Sequence, residues 1–298
     1  MQDITRSRLQ ILGAAVFFSS GGVGIKLTSL AALEVAGARS AMAALVLWLV
    51  LPSWRRFWKP RTMIVGLFYA ATLILFVVAT KYTMAANAIF LQSTAPIYVL
   101  ILAPWLLGEP NRRSDYVITL CLMIGLGLFF IGDDPATESA PDPTFGNGMA
   151  IVSGLALAFV LMGLRWLARS DGGEDDTGAA ALAGNVLAAL ICAPFILPMA
   201  AVQMTDVLLI AYLGSVQIGL GYWILTRGIE GVSAVEVSML LLAEPVLSAV
   251  WAWVVLGEEP GAWSLAGCVV IMSATCARVA LQRSDARALA SAHSGDAP

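Results

Sequence analysis

The residues best able to do chemistry are charged groups inside long apolar stretches of the chain. Glu244 lies near the middle of the stretch 233–256, and Arg39 lies within the stretch 34–52. A carboxylate at the centre of a membrane helix costs about 2.5–3.5 kcal/mol on insertion scales, so such groups are functional by default. Glu244 could bind and release a proton, pair with a substrate ammonium group, or satisfy a neighbouring helix. Arg39 could bind a substrate carboxylate or extend to the outer membrane interface.

Uncharged polar and aromatic side chains lie in other apolar stretches, 9–27, 62–80, 85–107 and 207–225, and could line a binding cavity. A few hydrogen-bonding groups beside aromatic rings would suit a zwitterion with an apolar side chain. The same groups could instead form interhelical hydrogen bonds, worth about 0.6 kcal/mol each on average. The candidates are Ser19, Ser20, Tyr69, Asn87, Gln92, Ser93, Thr94, Tyr98, Tyr212 and Gln217.

Two prolines interrupt apolar stretches and predict broken helices. Pro96 lacks the N–H that would bond the Gln92 carbonyl, and Pro245 lacks the one for Leu241. An unsatisfied carbonyl inside a bilayer costs several kcal/mol, so a neighbouring side chain, water or substrate must satisfy it. Nearby glycines could act as hinges or allow close helix packing. The candidate hinge glycines are Gly219 and Gly221.

The chain has too few charged residues for a water-soluble surface. Of its 298 residues, 59% are hydrophobic and 12% are charged, and the mean hydropathy is +0.83. A soluble globular protein carries about 25% charged residues, so a soluble enzyme and a disordered chain are excluded. The net charge of −3 indicates no nucleic-acid surface. Four dispersed cysteines and a single histidine predict neither a metal site nor a cofactor.

A membrane-spanning helix needs about 20 mostly apolar residues, and the chain contains ten such stretches. The sequence therefore predicts an all-α integral membrane protein with ten transmembrane helices. A linker over 133–147 follows the fifth helix, and the tail 284–298 is predicted to be disordered. The predicted helices cover 9–27, 34–52, 62–80, 85–107, 115–132, 148–168, 179–198, 207–225, 233–256 and 262–281.

The basic residues predict the orientation of these helices, because Lys and Arg of short loops stay cytoplasmic. With a cytoplasmic N-terminus, ten alternating helices place only Lys26 and Lys81 on the outer side and Arg39 within a helix. The rest of the 17 basic residues fall on the cytoplasmic side. Adding or removing one helix would destroy this separation. We therefore predict a multi-pass protein with both termini in the cytoplasm.

Two stretches of the chain share one pattern. Each of them contains a proline near the middle and a Leu-Gly-Glu motif near the end; they are Asn87–Pro110 and Glu236–Pro260. The two prolines are as far apart in the sequence as the two Leu-Gly-Glu motifs are. The pattern divides the chain into two five-helix repeats, 1–132 and 148–283. Because five is odd, the second repeat crosses the membrane in the opposite direction. Inverted repeats around a midplane site are typical of secondary transporters.

At these residues the chain resembles the EamA-type, ten-helix members of the drug/metabolite transporter superfamily. The proline-containing fourth helix of each repeat, its Leu-Gly-Glu motif, Arg39 and the turn Ala79–Ala86 carry the resemblance. Within the family the chain is most similar to the YddG-type amino-acid exporters of bacterial inner membranes. One position departs from the repeat, since Glu244 stands where the first copy has Ala95.

The resemblance implies a secondary transporter that moves aromatic and other neutral amino acids and related small metabolites outward by alternating access. It implies a central cavity between the repeats, lined by the first, third, fourth, sixth, eighth and ninth helices, with the fifth and tenth at the periphery. The implied partners are a small-molecule substrate and the lipid bilayer, without a cofactor or nucleic acid. The oligomeric state stays open, a monomer included.

Three alternatives stay open. A proton-coupled exporter of other substrates would use Glu244, but no second midplane acid shares the work, so substrate binding or a structural role is favoured for it. A membrane enzyme would need the acidic clusters that start at Asp133 and Asp171 to hold Mg²⁺. The predicted topology places these clusters on opposite sides of the membrane, so they cannot share a metal. A passive channel would show flux without saturation or exchange.

Overall fold

The structure is a computed structural model that describes residues 4–50, 58–128, 140–196 and 202–256 and four short pieces, 262–263, 266–267, 269–270 and 273–274. Every regular element within these residues is helical. Eight helices are long and apolar enough to cross a membrane. The predicted class, an all-α integral membrane protein, is therefore confirmed.

The main helices of the described residues follow the predicted order along the chain. They are α1 (Ile4–Leu27), α2 (Ala32–Val50), α3 (Pro60–Tyr82), α4 (Ala85–Leu107), α5 (Arg113–Leu128), α6 (Pro143–Ala168), α7 (Gly173–Ile196), α8 (Met204–Gly231) and α9 (Ala234–Val255). All but α5, which has 16 residues, meet the length of a membrane span. The predicted tail 284–298 lies outside the described residues, as do most of the tenth helix, 262–281, and the first part of the linker, 133–139. The ten-helix count and the inverted repeat stay predictions.

The helices α1, α3 and α9 run in the same direction, as contacts at the two ends of the bundle show. At the end where α1 begins, which we call the first end, Arg8 contacts Glu236 near the start of α9. At the opposite end, Lys26 Nζ on α1 donates to the Thr83 carbonyl just after α3, at 2.8 Å. The orientation predicted from the basic residues makes the first end the cytoplasmic one.

Ion pairs at the first end join the first half of the chain, 4–128, to the second half, 140–256. Each pair takes one residue from each half. The pairs are Arg8–Glu236 at 2.7 Å, Lys59–Asp176 at 2.6 Å, Arg165–Glu109 at 2.9 Å and Arg169–Glu109. The two halves are therefore held together by charge at this end.

The sixth helix begins earlier than its hydrophobic pattern predicts. It starts at Pro143 rather than at 148, within the predicted linker. Proline suits a first helical position, where its N–H would have no partner. The Asp142 side chain accepts a hydrogen bond from the Phe145 backbone N–H at 3.0 Å and so caps the helix. Capping chemistry thus extends the helix beyond its apolar stretch.

The fourth helix is broken where Pro96 predicts a break. Its two parts are Ala85–Gln92 and Ala95–Leu107, and Pro96 lies in the first turn of the second part. Ser93 and Thr94, in the break, donate their hydroxyl groups to carbonyls of the preceding turn at 2.6 and 2.7 Å. These bonds satisfy the Ile89 and Leu91 carbonyls. They do not involve the Gln92 carbonyl, so the group that satisfies it stays a prediction.

The ninth helix is also broken, but its backbone closes differently. Its first two parts are Ala234–Leu240 and Ala243–Trp251. The Leu241 carbonyl accepts a hydrogen bond from the Glu244 backbone N–H at 2.9 Å. The prediction that Pro245 leaves this carbonyl without a backbone partner is therefore wrong, because the chain tightens into a three-residue step.

The eighth helix contains a π-helical segment that hydrophobic periodicity did not predict. The segment Leu213–Leu220 lies between the α-helical parts Met204–Tyr212 and Gly221–Gly228. A side chain on Gly219 would place its Cβ 3.1 Å from the Gly214 carbonyl oxygen. Glycine therefore fits the inner contact of this wide turn, and such turns are frequent at functional sites.

Candidate functional site

An internal cavity of about 50 Å³ lies between the two halves, beside the breaks of α4 and α9. Its walls come from α1, α2, α3 and α4 of the first half and from α6, α8 and α9 of the second. These are the six helices that the resemblance implies, with α2 in addition. The polar residues of the lining are Arg39, Thr72, Gln92, Gln217, Tyr222 and Glu244.

Arg39 is a buried cation in the wall of this cavity. Only 1% of the residue is exposed, and it lies about 10 Å along α2 from the first residue of that helix. Its Nη2 donates to the Leu73 carbonyl at 3.0 Å, while its Nε has no hydrogen-bond partner in the described part of the chain. The alternative in which Arg39 extends to the outer interface is therefore wrong.

Glu244 lies at the start of the second part of α9, directly after the break. The break turns its backbone N–H toward Leu241 and leaves its side chain in the cavity wall. Within residues 4–50, 58–128, 140–196 and 202–256 its carboxyl group makes no hydrogen bond and no ion pair. The structure therefore provides no neighbouring helix group for Glu244 to satisfy, which removes the main support for a purely structural role.

Gln92 ends the first part of α4 and connects the cavity to α6. Its Nε2 donates to Ser153 Oγ at 2.7 Å, and Ser153 Oγ donates to the Thr72 carbonyl at 3.2 Å. Gly154 lies directly beneath the break, since a Cβ at that position would stand 2.8 Å from the Gln92 carbonyl oxygen. The amide of Gln92 is thus held at a fixed place in the wall.

Gln217 lies on the π-helical segment of α8, across the cavity from α4. Its Nε2 reaches the Phe18 carbonyl at 3.5 Å, and its buried Oε1 has no partner among the described residues. Gly21 on α1 makes room for it, because a Cβ there would lie 2.8 Å from Gln217 Nε2. The side chain therefore presents a free acceptor close to the lining.

Tyr222 completes the lining, although the sequence did not single it out. Its ring packs on Phe18 at 4.7 Å and on Tyr69 at 4.4 Å between ring centroids. Tyr69 lies behind it, fully buried, and Asn185 Nδ2 reaches the Tyr69 hydroxyl at 3.5 Å. Tyr69 therefore supports the cavity wall from outside it.

Two of the predicted candidates connect helices away from the cavity. Ser19 Oγ accepts from Trp251 Nε1 at 3.0 Å and so joins α1 to α9. The Tyr212 hydroxyl pairs with Ser20 Oγ at 2.9 Å, and 40% of Tyr212 is exposed. Both residues have the interhelical role that was the alternative to substrate binding.

Asn87 and Tyr98 on α4 also lie outside the cavity lining. Asn87 is partly exposed near the start of the helix. Tyr98 follows the break and packs against an apolar cluster formed with residues of α5, α6 and α9. The expectation that Gln92 and Tyr98 share one cavity wall therefore fails for Tyr98, because the break separates the surroundings of the two parts of α4.

The predicted hinge residues have distinct roles in the structure. Pro96 and Pro245 lie at the two breaks, beside the cavity. Gly219 belongs to the π-helical segment. A Cβ on Gly221 would lie 2.5 Å from the Phe18 ring, so this glycine lets α8 approach α1 closely. Close packing therefore explains Gly221 without hinge motion.

Replacing Gln92 with alanine is expected to raise the apparent KM for transport about tenfold, because the cavity loses an amide fixed by Ser153. Tyr98→Ala is the matched control on the same helix. It should lower thermal stability but leave KM unchanged, because Tyr98 does not line the cavity. Uptake kinetics per amount of folded protein would measure both. Equal effects on KM from the two variants would contradict this assignment.

Metal chemistry has no support in the described residues. They contain no group of three His, Cys, Asp or Glu side chains that could hold a metal ion. Asp176 of the second acidic cluster instead pairs with Lys59. The cluster that starts at Asp133 lies outside the described residues.

A small cavity between membrane-length helices, with polar residues in its lining, fits a small-molecule transporter. The family model of the EamA-like transporter family matches residues 6–131 and 144–277. The chain therefore belongs to this family, which is part of the drug/metabolite transporter superfamily. Its members are transporters rather than enzymes.

The chain is also similar to curated relatives and to a solved structure. The chain is similar to the pseudopaline exporter CntI of Pseudomonas aeruginosa strain UCBPP-PA14, with 26% identity over 84% of this chain and 86% of the exporter. The CntI protein of a second strain, PAO1, is also 26% identical over the same shares. A solved crystal structure superposes on this chain with a TM-score of 0.75 and 17% sequence identity. The match covers 94% of this chain and 98% of the other. That likeness shows the fold alone.

Proposed function

We propose that the protein is a secondary exporter that moves aromatic and other neutral amino acids and related small metabolites out of the bacterial cell by alternating access. The observation that carries the proposal is the cavity between the halves, beside both helix breaks. Its lining combines six polar residues with apolar and aromatic ones. Such a lining suits a small molecule with both polar and apolar parts. The name of the relative CntI, an exporter, supports outward movement.

The size of the cavity supports a transport cycle with moving halves. A volume of about 50 Å³ accommodates a few water molecules, whereas ligand pockets measure about 300–1,000 Å³. An amino acid can therefore occupy this site only after the two halves separate. We propose that they separate first on one side of the membrane and then on the other.

Two inverted repeats would provide the symmetry that such a cycle needs. The family model matches the chain twice, over ranges that resemble the predicted repeats 1–132 and 148–283. The breaks at Pro96 and Pro245 lie at corresponding places in the two copies. In this proposal each of the two broken helices takes the conformation of the other when the cavity changes from facing one side of the membrane to facing the other.

The proposed topology gives a direct prediction. Reporter fusions at Ala136 and Ala292 should report opposite sides of the inner membrane, because ten helices put the first outside and the second in the cytoplasm. A paired cytoplasmic and periplasmic reporter at each site is the measurement. The same side for both fusions would rule out the ten-helix arrangement with cytoplasmic termini.

Counterflow in proteoliposomes tests the function. Vesicles loaded with an unlabelled amino acid should accumulate the labelled one, with saturation, for a panel of aromatic and neutral amino acids. Vesicles without protein and a charged amino acid, such as lysine, are the controls. Flux that grows linearly with concentration and shows no exchange would indicate a channel instead. Absence of counterflow for the entire panel would contradict the proposed substrates.

A proton-coupled exporter is the second candidate, and the position of Glu244 in the cavity wall favours it. In that case a pH gradient should accelerate uptake by the wild-type protein. The Glu244→Gln variant should then keep exchange but lose the acceleration, because an amide mimics a protonated acid. Uptake that is independent of the gradient would leave the facilitated exporter as the function.

A further inference from the structure

The cavity contains two ionisable groups without an opposite charge to neutralise them. Arg39 is 1% exposed, and its Nε has no partner in the described part of the chain. The carboxyl group of Glu244 makes no hydrogen bond or ion pair with any residue of that part. Both line the same cavity, one from each half of the chain. Burying a charge without an opposite charge costs several kcal/mol, and a ligand that brings the opposite charge to each group would remove that cost.

The complement of the two groups is a molecule that carries both a carboxylate and an ammonium group. A carboxylate accepts the fork of N–H donors that a guanidinium presents, and an ammonium group pairs with the carboxylate of Glu244. We infer that the cavity recognises both charged groups of a free α-amino acid, its carboxylate at Arg39 and its ammonium group at Glu244. The inference rests on the proposed function and defines the substrate class of that same site.

The rest of the lining indicates which side chain such an amino acid would carry. Phe18, Phe76, Leu157 and Leu225 surround the polar groups. Tyr222 lies close to both Arg39 and Glu244, and its ring packs on Phe18. A charged side chain would find no third acidic or basic residue among the lining residues, so neutral side chains fit best.

A ligand with one charge would leave one of the two groups unpaired. An anion would neutralise Arg39 and approach Glu244 with its own negative charge. A cation would neutralise Glu244 and approach Arg39. Because the two residues come from different halves, a zwitterion would also bridge α2 and α9 as the halves close around it. Recognition of both charges therefore links binding to closure.

Analogues of phenylalanine test the inference in the wild-type protein. Phenylalaninamide lacks the carboxylate, and N-acetylphenylalanine lacks the ammonium group. Each should compete with labelled phenylalanine in counterflow about 30-fold more weakly than phenylalanine itself, or worse. Equal competition by either analogue would overturn the inference while leaving the proposed export intact. Thermal stabilisation of the purified protein by the three compounds should give the same ranking, and stabilisation by none of them would overturn the inference together with the proposed substrates.

Two variants assign the groups to the ends of the ligand. The Arg39→Gln variant should bind phenylalaninamide and phenylalanine about equally well, because it no longer pairs with the carboxylate. The Glu244→Gln variant should bind N-acetylphenylalanine and phenylalanine about equally well, because it no longer pairs with the ammonium group. Tyr98→Ala, which lies outside the lining, should keep the wild-type ranking. If Arg39→Gln does not fold, Arg39→Lys keeps the charge and should keep the preference for the free carboxylate. Loss of the same preference in both cavity variants would contradict the assignment.

Discussion

Replacing Glu109 with glutamine is expected to lower the melting temperature of the purified protein by about 5 °C or more. Glu109 is 7% exposed and forms ion pairs with Arg165, at 2.9 Å, and with Arg169. Its other carboxylate oxygen accepts from the Ala234 N–H at 3.1 Å, at the start of α9. Removing one member of a buried charge group leaves its partners uncompensated, which costs about 3 kcal/mol or more.

The local backbone explains why this glutamate is so placed. Gly108 ends α4 in the left-handed conformation, with φ of 63°, which glycine adopts without strain. The turn directs Glu109 away from its own helix and toward the second half. Its carboxylate also lies at the positive end of α9. The Leu-Gly-Glu motif therefore encodes a helix end and a contact between the halves.

Glu34→Gln is the matched control for Glu109→Gln. Glu34 lies at the opposite end, is partly exposed, and accepts from the Ala31 N–H at 2.8 Å. An exposed group of this kind contributes little, so its loss should change the melting temperature slightly. Thermal unfolding in one detergent measures both variants. If Glu34→Gln lowered the melting temperature as much as Glu109→Gln does, burial of Glu109 and its contact between the halves would not contribute to stability.

Gly154→Ala is expected to abolish most transport and to destabilise the protein by about 1–3 kcal/mol. The new Cβ would lie 2.8 Å from the Gln92 carbonyl oxygen and 3.2 Å from Gln92 Cα. Both atoms belong to the backbone at the α4 break, so the added methyl group must displace the break itself. The cavity wall would move with it, because Gln92 lines the cavity.

Gly148→Ala, on the same helix, is the control, and it is expected to stabilise the protein rather than destabilise it. A Cβ at Gly148 meets nothing within 4 Å, so alanine should stabilise α6 by about 0.5–1 kcal/mol. Thermal unfolding and counterflow should be measured for both variants. If the two variants behave alike, the close contact between α6 and the broken helix has no energetic importance.

Much of the fold was predictable because the membrane imposes simple rules on the sequence. Long apolar stretches located the spanning helices, and Pro96 and Pro245 located both breaks, because a missing N–H interrupts a helix wherever it occurs. Helix ends were less predictable. Asp142 and Pro143 start α6 through capping chemistry, which a hydrophobic pattern does not record.

The candidate site was predictable only in part, because periodicity identifies polar residues but not the direction they face. Arg39, Gln92, Gln217 and Glu244 were identified by being polar within apolar stretches, and the structure places all four in the cavity wall. Tyr98 was identified on the same grounds and faces an apolar cluster instead.

Tyr222 shows the opposite failure, since it lines the cavity without having been singled out. Its place depends on the π-helical turn before it and on Gly221, which brings α8 against the Phe18 ring. Both are tertiary effects that a single sequence does not reveal. A tyrosine that follows two closely spaced glycines in a membrane helix was the available signal.

The ion pairs between the two halves make one end of the molecule sensitive to dissolved salt. At physiological ionic strength, dissolved ions screen charges over about 8 Å. The Lys59 side chain is 48% exposed, so dissolved ions can approach its ion pair with Asp176. In the proposed transport cycle, opening the first end would separate opposite charges, so salt on that side would lower the energy of the open form relative to the closed one. The resting conformation of the carrier then depends on the composition of one compartment. Transport rates measured in proteoliposomes should therefore differ between buffers that differ only in the salt concentration on that side.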